Sequence, residues 1–228
     1  MKKFISIILA RGGSKGIPSK NITEFCGKPL LVWTIEQCLE AGIERVFVSS
    51  DSQQILDLAS AYQGIPLLRP SEISGDQSTS EEGWVDAVGQ ISESGEDYEW
   101  IVGPQVTSPL RTTIDFKNGM MKANTGKYDS LFSCSPVHDL CLWTQDKDGV
   151  KSISYDWKSR KRRQDNSTQF VENGSFYIFK PENLSKYNNR LSGRIGLVEM
   201  EYWKMFEIDD QNDLFLCSKI MEEYLLKN

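Results

Sequence analysis

The stretch that most constrains this chain runs from Phe4 to Ile22. Ile5-Ser6-Ile7-Ile8-Leu9 is β-rich and almost wholly apolar. That is the pattern of a strand covered on both faces of a parallel sheet. It feeds without a break into Ala10-Arg11-Gly12-Gly13-Ser14-Lys15-Gly16-Ile17-Pro18-Ser19-Lys20-Asn21. Glycine lets a backbone come close to a ligand, and successive N–H groups in such a loop form a concavity for anions. Arg11, Lys15 and Lys20 add full charges to those dipoles. Cations crowded around adjacent glycines repel one another unless an anion joins them, and a polyphosphate is the simplest such anion. The loop is not a Walker A motif, because Ile17 and Pro18 follow Gly16 where Lys and Ser or Thr belong. Nor does it have the G-x-G-x-x-G spacing of the dinucleotide fingerprint, and Pro18 bars an immediate helix.

Beyond the loop, helical and strand patterns alternate. Pro29 opens a helix carrying Leu30, Trp33, Thr34, Gln37 and Cys38, which stops at Gly42. Arg45 to Ser49 reads as the second strand. Asp51 or Ser52 caps the next helix, which turns Ile55, Leu56 and Ala59 inward and ends at Gly64. Ile65 to Leu68 is a third strand, and Ser71 to Thr79 is loop-like. Thr79 and Glu82 form a capping box for a helix reaching about Ile91. Trp100 to Val102 is a fourth strand. A helix from Thr112 or Thr113 through Met121 and a fifth strand, Ser130 to Val137, follow. From His138 to Phe170 the chain turns polar, with a hairpin turn at Asp148-Gly149, and reads as an inserted arm. Gly174 to Phe179 returns to the core, and Gly196 to Met200 is a short strand. Leu214, Cys217, Ile220, Met221 and Tyr224 mark a terminal helix from about Asp210. The pattern predicts one α/β domain over residues 1–228, three-layered around a wound, mostly parallel sheet, with 138–170 as an arm.

Composition narrows the function. A net charge of −6 and a pI near 5.0 argue against a nucleic-acid binder that works by bulk charge. Any polyanion site is then a local basic pocket in an acidic protein. Cys26, Cys38, Cys134, Cys141 and Cys217 are scattered, odd in number and without C-x-x-C spacing. They read as reduced thiols of a cytoplasmic protein rather than a disulfide framework or metal cluster. Met1-Lys2-Lys3 before an apolar run has the outline of a secretory leader. However, the run is short, and Arg11 stands where a small-residue cleavage site belongs, so a buried first strand is expected instead. No stretch approaches the roughly 20 apolar residues that span a bilayer, so no membrane partner is expected.

Wound sheets bind ligands at the carboxyl ends of their strands. The polar residues gather there: Arg11 to Asn21 after strand one; Ser49, Ser50 and Asp51 after strand two; Arg69 with Asp76, Gln77, Ser78 and Thr79 after strand three; Gln105 to Arg111 after strand four. Late in the chain, Glu207-Ile208-Asp209-Asp210 clusters carboxylates. In an extended backbone Glu207 and Asp209 point the same way. Two readings stand there: ligands for a divalent cation that bridges phosphate oxygens, or the cap of the terminal helix. The single histidine, His138, reads as structural, and the aromatics Trp143, Trp157, Phe176 and Tyr177 as packing.

These residues together carry a resemblance. Leu9-Ala-Arg-Gly-Gly-Ser-Lys-Gly-Ile-Pro-Ser-Lys-Asn-Ile22 resembles the opening signature of the acylneuraminate cytidylyltransferases, the CMP-sialic acid synthetases, and of their bacterial nonulosonic-acid members. Asp76-Gln77-Ser78-Thr79, Gln105 to Arg111, Asn173-Gly174 and Ile208-Asp209 resemble that family's later motifs in the same order. The resemblance implies a nucleotidyltransferase fold and a transfer of CMP from CTP to the anomeric hydroxyl of a nonulosonic acid. It implies Mg²⁺ (or Mn²⁺) as cofactor and a homodimer. The same fold with another nucleotide or sugar acid, or a non-catalytic nucleotide-sugar sensor, is the alternative.

Carried over by position, Arg11, Lys15 and Lys20 would neutralise charge on the reacting phosphates. Ser14, Asn21, Arg69, Asp76, Gln77, Ser78 and Thr79 would hold the nucleotide. Gln105, Thr107, Ser108 and Arg111 would face the sugar, joined from the arm by Arg163 and Gln164 of a basic run that otherwise reads as a solvated surface. Asp209, with Glu207 where the family often has aspartate, would bind the metal. Trp203 and Phe206 are further candidates for the pocket of the sugar's acyl group.

Overall fold

A computed structural model describes residues 3–14, 16–138, 140–165 and 167–227. Its frame is a seven-stranded sheet of β1 (Phe4–Leu9), β4 (Val46–Ser50), β5 (Ile65–Leu68), β6 (Trp100–Pro104), β7 (Ser130–Val137), β10 (Gln169–Phe179) and β11 (Ile195–Glu199). The spatial order is β11-β7-β10-β6-β1-β4-β5. All neighbours are parallel except β10, which runs antiparallel to both β6 and β7. β1 therefore lies where the chain order reverses, with β4 on one side and β6 on the other. Loops leaving β1 and β6 diverge there and open a crevice.

Among the described residues six α-helices cover the sheet: α1 (Leu30–Glu40), α2 (Gln53–Ala61), α3 (Ser80–Glu93), α4 (Thr113–Asn124), α5 (Pro181–Tyr187) and α6 (Gln211–Tyr224). β1 alternates its side chains between two cores. Ile8 and Ala10 pack with Leu31, Ile35, Ala59, Phe116 and Met221 of α1, α2, α4 and α6. Ile5 and Ile7 pack with Trp84, Ala87 and Leu184 of α3 and α5. This two-sided burial explains why β1 reads as an unbroken apolar run. Two-stranded pieces stand apart from the main sheet: β2 (Glu24–Phe25) with β3 (Lys28–Pro29), and the arm's β8 (Trp143–Asp146) with β9 (Gly149–Ser152).

The sequence signals hold to within a few residues for most elements, and their departures have local causes. The Thr79–Glu82 capping box forms, and Thr112 builds a second one with Asp115. Gly64 does not stop α2. Gln63 takes the left-handed conformation at φ 65°, and Gly64 is buried, its N–H donated to the Ala59 carbonyl at 2.8 Å. The core strand expected at Gly174 begins earlier, at Gln169, because Gln169 to Glu172 pair with β7 before the register shifts between Glu172 and Tyr177. The β2–β3 hairpin and α5 had no sequence signal of useful length.

Two clusters of ion pairs tie the far side of the sheet. Lys204 and Asp115 are both buried, with Nζ 2.9 Å from Oδ2, and Glu201 adds a second carboxylate at 2.6 Å from Nζ. Asp129, ahead of β7, accepts from the backbone N–H and the Nε of Arg194, ahead of β11, both at 3.0 Å. Those bonds hold its carboxyl well below the usual carboxylate range.

Removing one partner of a buried pair strands the other, so Lys204→Ala should lower stability by about 3–5 kcal/mol in urea unfolding. Asp129 titrates lower folded than unfolded, so its contribution is present above the ordinary carboxylate pKa of about 4 and is lost as pH falls below it. Asp129→Asn should therefore be less stable than the parent at pH 7, with the gap closing toward pH 2–3.

Candidate nucleotide site

A cavity of about 720 Å³ opens at the carboxyl ends of β1, β5 and β6. Leu9, Arg11, Ser14, Gly16, Lys20 and Asn21 line it from the first loop. Arg69, Asp76, Ser78, Thr79 and Ser80 line it after β5, Pro104 to Thr107 after β6, and Glu207 and Asp209 from the late acidic stretch. Four segments distant in sequence thus share one wall.

Each segment is held by identifiable bonds. Asn21 is buried and donates Nδ2–H to the Arg11 carbonyl at 2.9 Å, which folds the first loop back on itself. Ala10 N–H is donated to Ser49 O at 3.0 Å and Arg69 N–H to Ser50 O at 2.9 Å, so the end of β4 anchors both flanking loops. Ile208 is fully buried and donates its N–H to Thr107 O at 2.8 Å. With Ile208 turned inward, its neighbours Glu207 and Asp209 both face the cavity, as extended-chain alternation requires. The cap of α6 is supplied by other residues: Asp210 accepts from the Asn212 and Asp213 N–H groups, and Asp213 accepts back. The two readings of the acidic stretch thus fall on different residues.

The cations are balanced by acids. Arg11 Nη1 is 3.0 Å from Asp76 Oδ1 and donates also to Gly75 O at 3.1 Å. Lys20 Nζ is 2.9 Å from Asp209 Oδ1. Arg69 is 6% exposed, and its Nε and Nη2 have no hydrogen-bond partner among the described residues. Burial lowers its guanidinium pKa, against the pull of Asp51 and Asp86. A buried cation with unpaired donors on a cavity wall is a ready partner for an anionic or strongly accepting ligand. Glu207 has its pKa raised by burial and then by the charge of Asp209, with Lys20 opposing.

Several expected roles change. Arg111 does not face the cavity. It is 1% exposed, and its Nη1 donates to the carbonyls of Gln105, Ser108 and Ser175 at 2.8, 2.6 and 3.2 Å, its Nη2 to Thr34 Oγ1 at 2.7 Å. Burial brings its pKa down to about 10. It is the clamp that shapes the β6 loop from behind. Ser108 is likewise buried and absent from the lining. Gln77 is exposed outside the lining, because the tight turn closed by Ser78 N–H on Gly75 O directs it away. The Thr79 hydroxyl is engaged with Glu82 in the α3 cap while Thr79 stays on the wall. Gln164 is exposed on the arm and does not line the cavity within this chain, and Arg163 lies in a short helical turn beside it. Lys15 lies outside the described residues. Trp203 stacks on Tyr224 at 5.0 Å and lies off the cavity, as does Phe206, which packs against Tyr202. Ser74, Ser80 and Trp84 line the cavity without having been singled out in the sequence; Trp84 is also a core residue under α3, so no local pattern marks it as a wall residue.

The first loop meets the acidic stretch at Gly16. A Cβ there would stand 2.1 Å from the Asp209 carbonyl oxygen, so only glycine lets these backbones touch.

Residues 5–214 match a family model described as "Cytidylyltransferase". The chain is 34% identical over 181 residues to N-acylneuraminate cytidylyltransferase A of Danio rerio, which aligns over 78% of this chain and 41% of that protein. It is 30% identical over 216 residues to the N-acylneuraminate cytidylyltransferase of Streptococcus agalactiae serotype V, covering 92% and 51%. It is 29% identical over 182 residues to the pseudaminic acid cytidylyltransferase of Campylobacter jejuni, covering 77% and 78%. The chain spans about half the length of the N-acylneuraminate relatives it matches. In fold it resembles the CMP:2-keto-3-deoxy-manno-octonic acid synthetase solved with CTP, at a TM-score of 0.73 and 16% identity over 98% of this chain and 100% of that one.

Gly16→Ala should drive Asp209 out of place, since backbone rather than a flexible side-chain end meets the new methyl. On the polyphosphate reading of the cavity, binding of CTP, followed by calorimetry, should weaken by about ten-fold or more, with the melting temperature little changed because the contact lies at the surface of the fold.

Proposed function

Because the chain belongs to the cytidylyltransferase family, we propose that it transfers CMP from CTP to the anomeric hydroxyl of a sialic-acid-like nonulosonic acid and releases pyrophosphate. The observation that carries this reading is the convergence of Arg11, Lys20 and Arg69 with Glu207 and Asp209 on one cavity at the switch point of the sheet. The names of the relatives, N-acylneuraminate and pseudaminic acid cytidylyltransferases, support the acceptor class.

In the proposed reaction the acceptor oxygen bonds to the α-phosphorus as the bond to the bridging oxygen of pyrophosphate breaks. The hydroxyl proton passes to solvent. No protein nucleophile is required, and the work is positioning and charge neutralisation. Arg11 and Lys20, with Lys15 by resemblance, would neutralise the triphosphate. Ser14, Asn21, Arg69 and Ser78 would hold the nucleotide, and Gln105 and Thr107 would face the acceptor. Asp76 would steady Arg11.

Glu207 and Asp209 fit a Mg²⁺ (or Mn²⁺) ion that arrives with the nucleotide. Among the described residues no three His, Cys, Asp or Glu side chains gather as a closed metal site. Mg²⁺, however, uses one or two carboxylates together with phosphate oxygens and water. Burial, and then the charge of Asp209, raises the Glu207 pKa, and a cation bound between the two carboxylates would relieve both effects. When bound, the ion supplies charge neutralisation at phosphate oxygens.

We read 138–170 as an inserted arm of a single domain that joins two copies. Leu142, Trp143, Val150, Ile153 and Trp157 are exposed on it, beside the basic run Lys158 to Arg163 of an otherwise acidic chain. Arg163 and Gln164 would then reach the acceptor side of the partner's cavity. The five cysteines are free thiols, in keeping with a reducing cytoplasm. No described helix is long and apolar enough to cross a membrane.

Purified protein with CTP, Mg²⁺ and a panel of nonulosonic acids should release pyrophosphate, and ATP, GTP or UTP should substitute poorly. CTP binding without turnover would identify a sensor instead, and turnover with another nucleotide a different transferase. Lys20→Ala should lower kcat by about 100-fold, the scale of one lost charge-stabilising donor.

A further inference from the structure

Asp51 stands at the end of β4, outside the cavity lining, between the two loops that the cavity needs. Its Oδ1 accepts the Gly12 N–H at 2.8 Å. That amide is the first of the donors that a glycine loop offers to an anion, and here it is already taken. Gly12 is also pressed against the residue after Asp51: a Cβ at Gly12 would stand 2.9 Å from Ser52 Cβ. The preceding residues act in the same sense through their backbones, Ser49 O holding Ala10 and Ser50 O holding Arg69. Three successive residues at the end of one strand thus fix the first loop at two points and Arg69 at one.

We infer that Asp51 is a positioning residue for the nucleotide loop: by accepting the Gly12 N–H it sets the direction in which Arg11 and the residues after Gly12 enter the cavity. This rests on the CTP reading of the cavity. Asp51 donates nothing to the ligand and takes no part in proton transfer. Its charge also bears on the buried Arg69 guanidinium, so two roles have to be separated: acceptor for Gly12, and counter-charge for Arg69. The short, directional bond to Gly12 is the one the loop depends on. The Arg69 interaction is longer in range and is shared with Asp86.

Asn keeps an acceptor oxygen and removes the charge, whereas Ala removes both. Steady-state kinetics with CTP, melting temperatures and hydrogen exchange at the Gly12 amide are measured on the parent, Asp51→Asn and Asp51→Ala. Asp51→Ala should raise KM for CTP by about ten-fold, the scale of one hydrogen bond. Its kcat should move less than about three-fold, and its Gly12 amide should exchange faster. Asp51→Asn should stay within about three-fold of the parent in KM. An unchanged KM and unchanged Gly12 exchange in Asp51→Ala overturn the inference. So does an Asn variant as impaired as the Ala variant, which would assign the effect to the charge on Arg69. Should Asp51→Ala not fold, Gly12→Ala serves: it should raise KM, and adding Ser52→Gly should restore it, while failure of that rescue counts against the inference. A parent that releases no pyrophosphate from CTP defeats the functional reading instead, and Gly12 exchange still decides whether Asp51 holds the loop.

Discussion

The site depends on a contact between two backbones. Gly16 lies against the Asp209 carbonyl so closely that no side chain fits between them. Through that contact the loop after the first strand meets a segment nearly the whole chain length away, and Lys20 bonds to Asp209 beside it. Ile208, fully buried and bonded to Thr107, keeps the acidic stretch from drifting off the β6 loop. Loops one and four of the sheet edge and the late carboxylates are thereby locked into a single wall. Without the Gly16 approach, the cations of the first loop and the carboxylates of the last would belong to separate surfaces.

The charge arrangement follows from that closure. The first loop alone suggests crowded cations in want of an anion. In the folded chain Arg11 faces Asp76 and Lys20 faces Asp209. On the proposed CTP reading, an incoming polyphosphate would exchange these partners and leave the Asp209 carboxylate free to help hold a divalent ion. Both pairs remain partly exposed, so each is held weakly enough to be exchanged. Arg69 differs: it is buried, and two of its donor nitrogens have no hydrogen-bond partner among the described residues.

How much was legible varied with the range of the force involved. The β-α alternation and both the Thr79 and the Thr112 helix starts are local patterns that the structure bears out, and the arm's hairpin turn lies one residue before the expected Asp148-Gly149, at Lys147-Asp148, with Gly149 opening β9. The β2–β3 hairpin and α5 are too short to leave a period in the sequence. Arg111 and Ser108 looked like ligand-facing residues of a loop. Whether an arginine points out of a loop or in beneath it depends on which acceptors converge there, and here the Gln105, Ser108 and Ser175 carbonyls and Thr34 Oγ1 converge beneath the loop. Trp84 serves both purposes, packing in the core under α3 while one edge reaches the cavity, a dual placement that only the fold decides. Asp51 was visible as a polar residue at a strand end, but its bond to Gly12 was not.

By itself the sequence determined the identity of the elements, the glycine loop and its cations, and the family to which the chain belongs, because periodicity, capping and motif spacing are written in consecutive residues. Only the tertiary structure decided which polar residues share the cavity. That choice rests on contacts between distant segments: the approach of Gly16 to Asp209, the burial of Ile208, the inward turn of Arg111 and the hold of Asp51 on Gly12. Each is settled by where a backbone has room or an unpaired donor finds an acceptor, and neither is fixed until the sheet has brought its strand ends together.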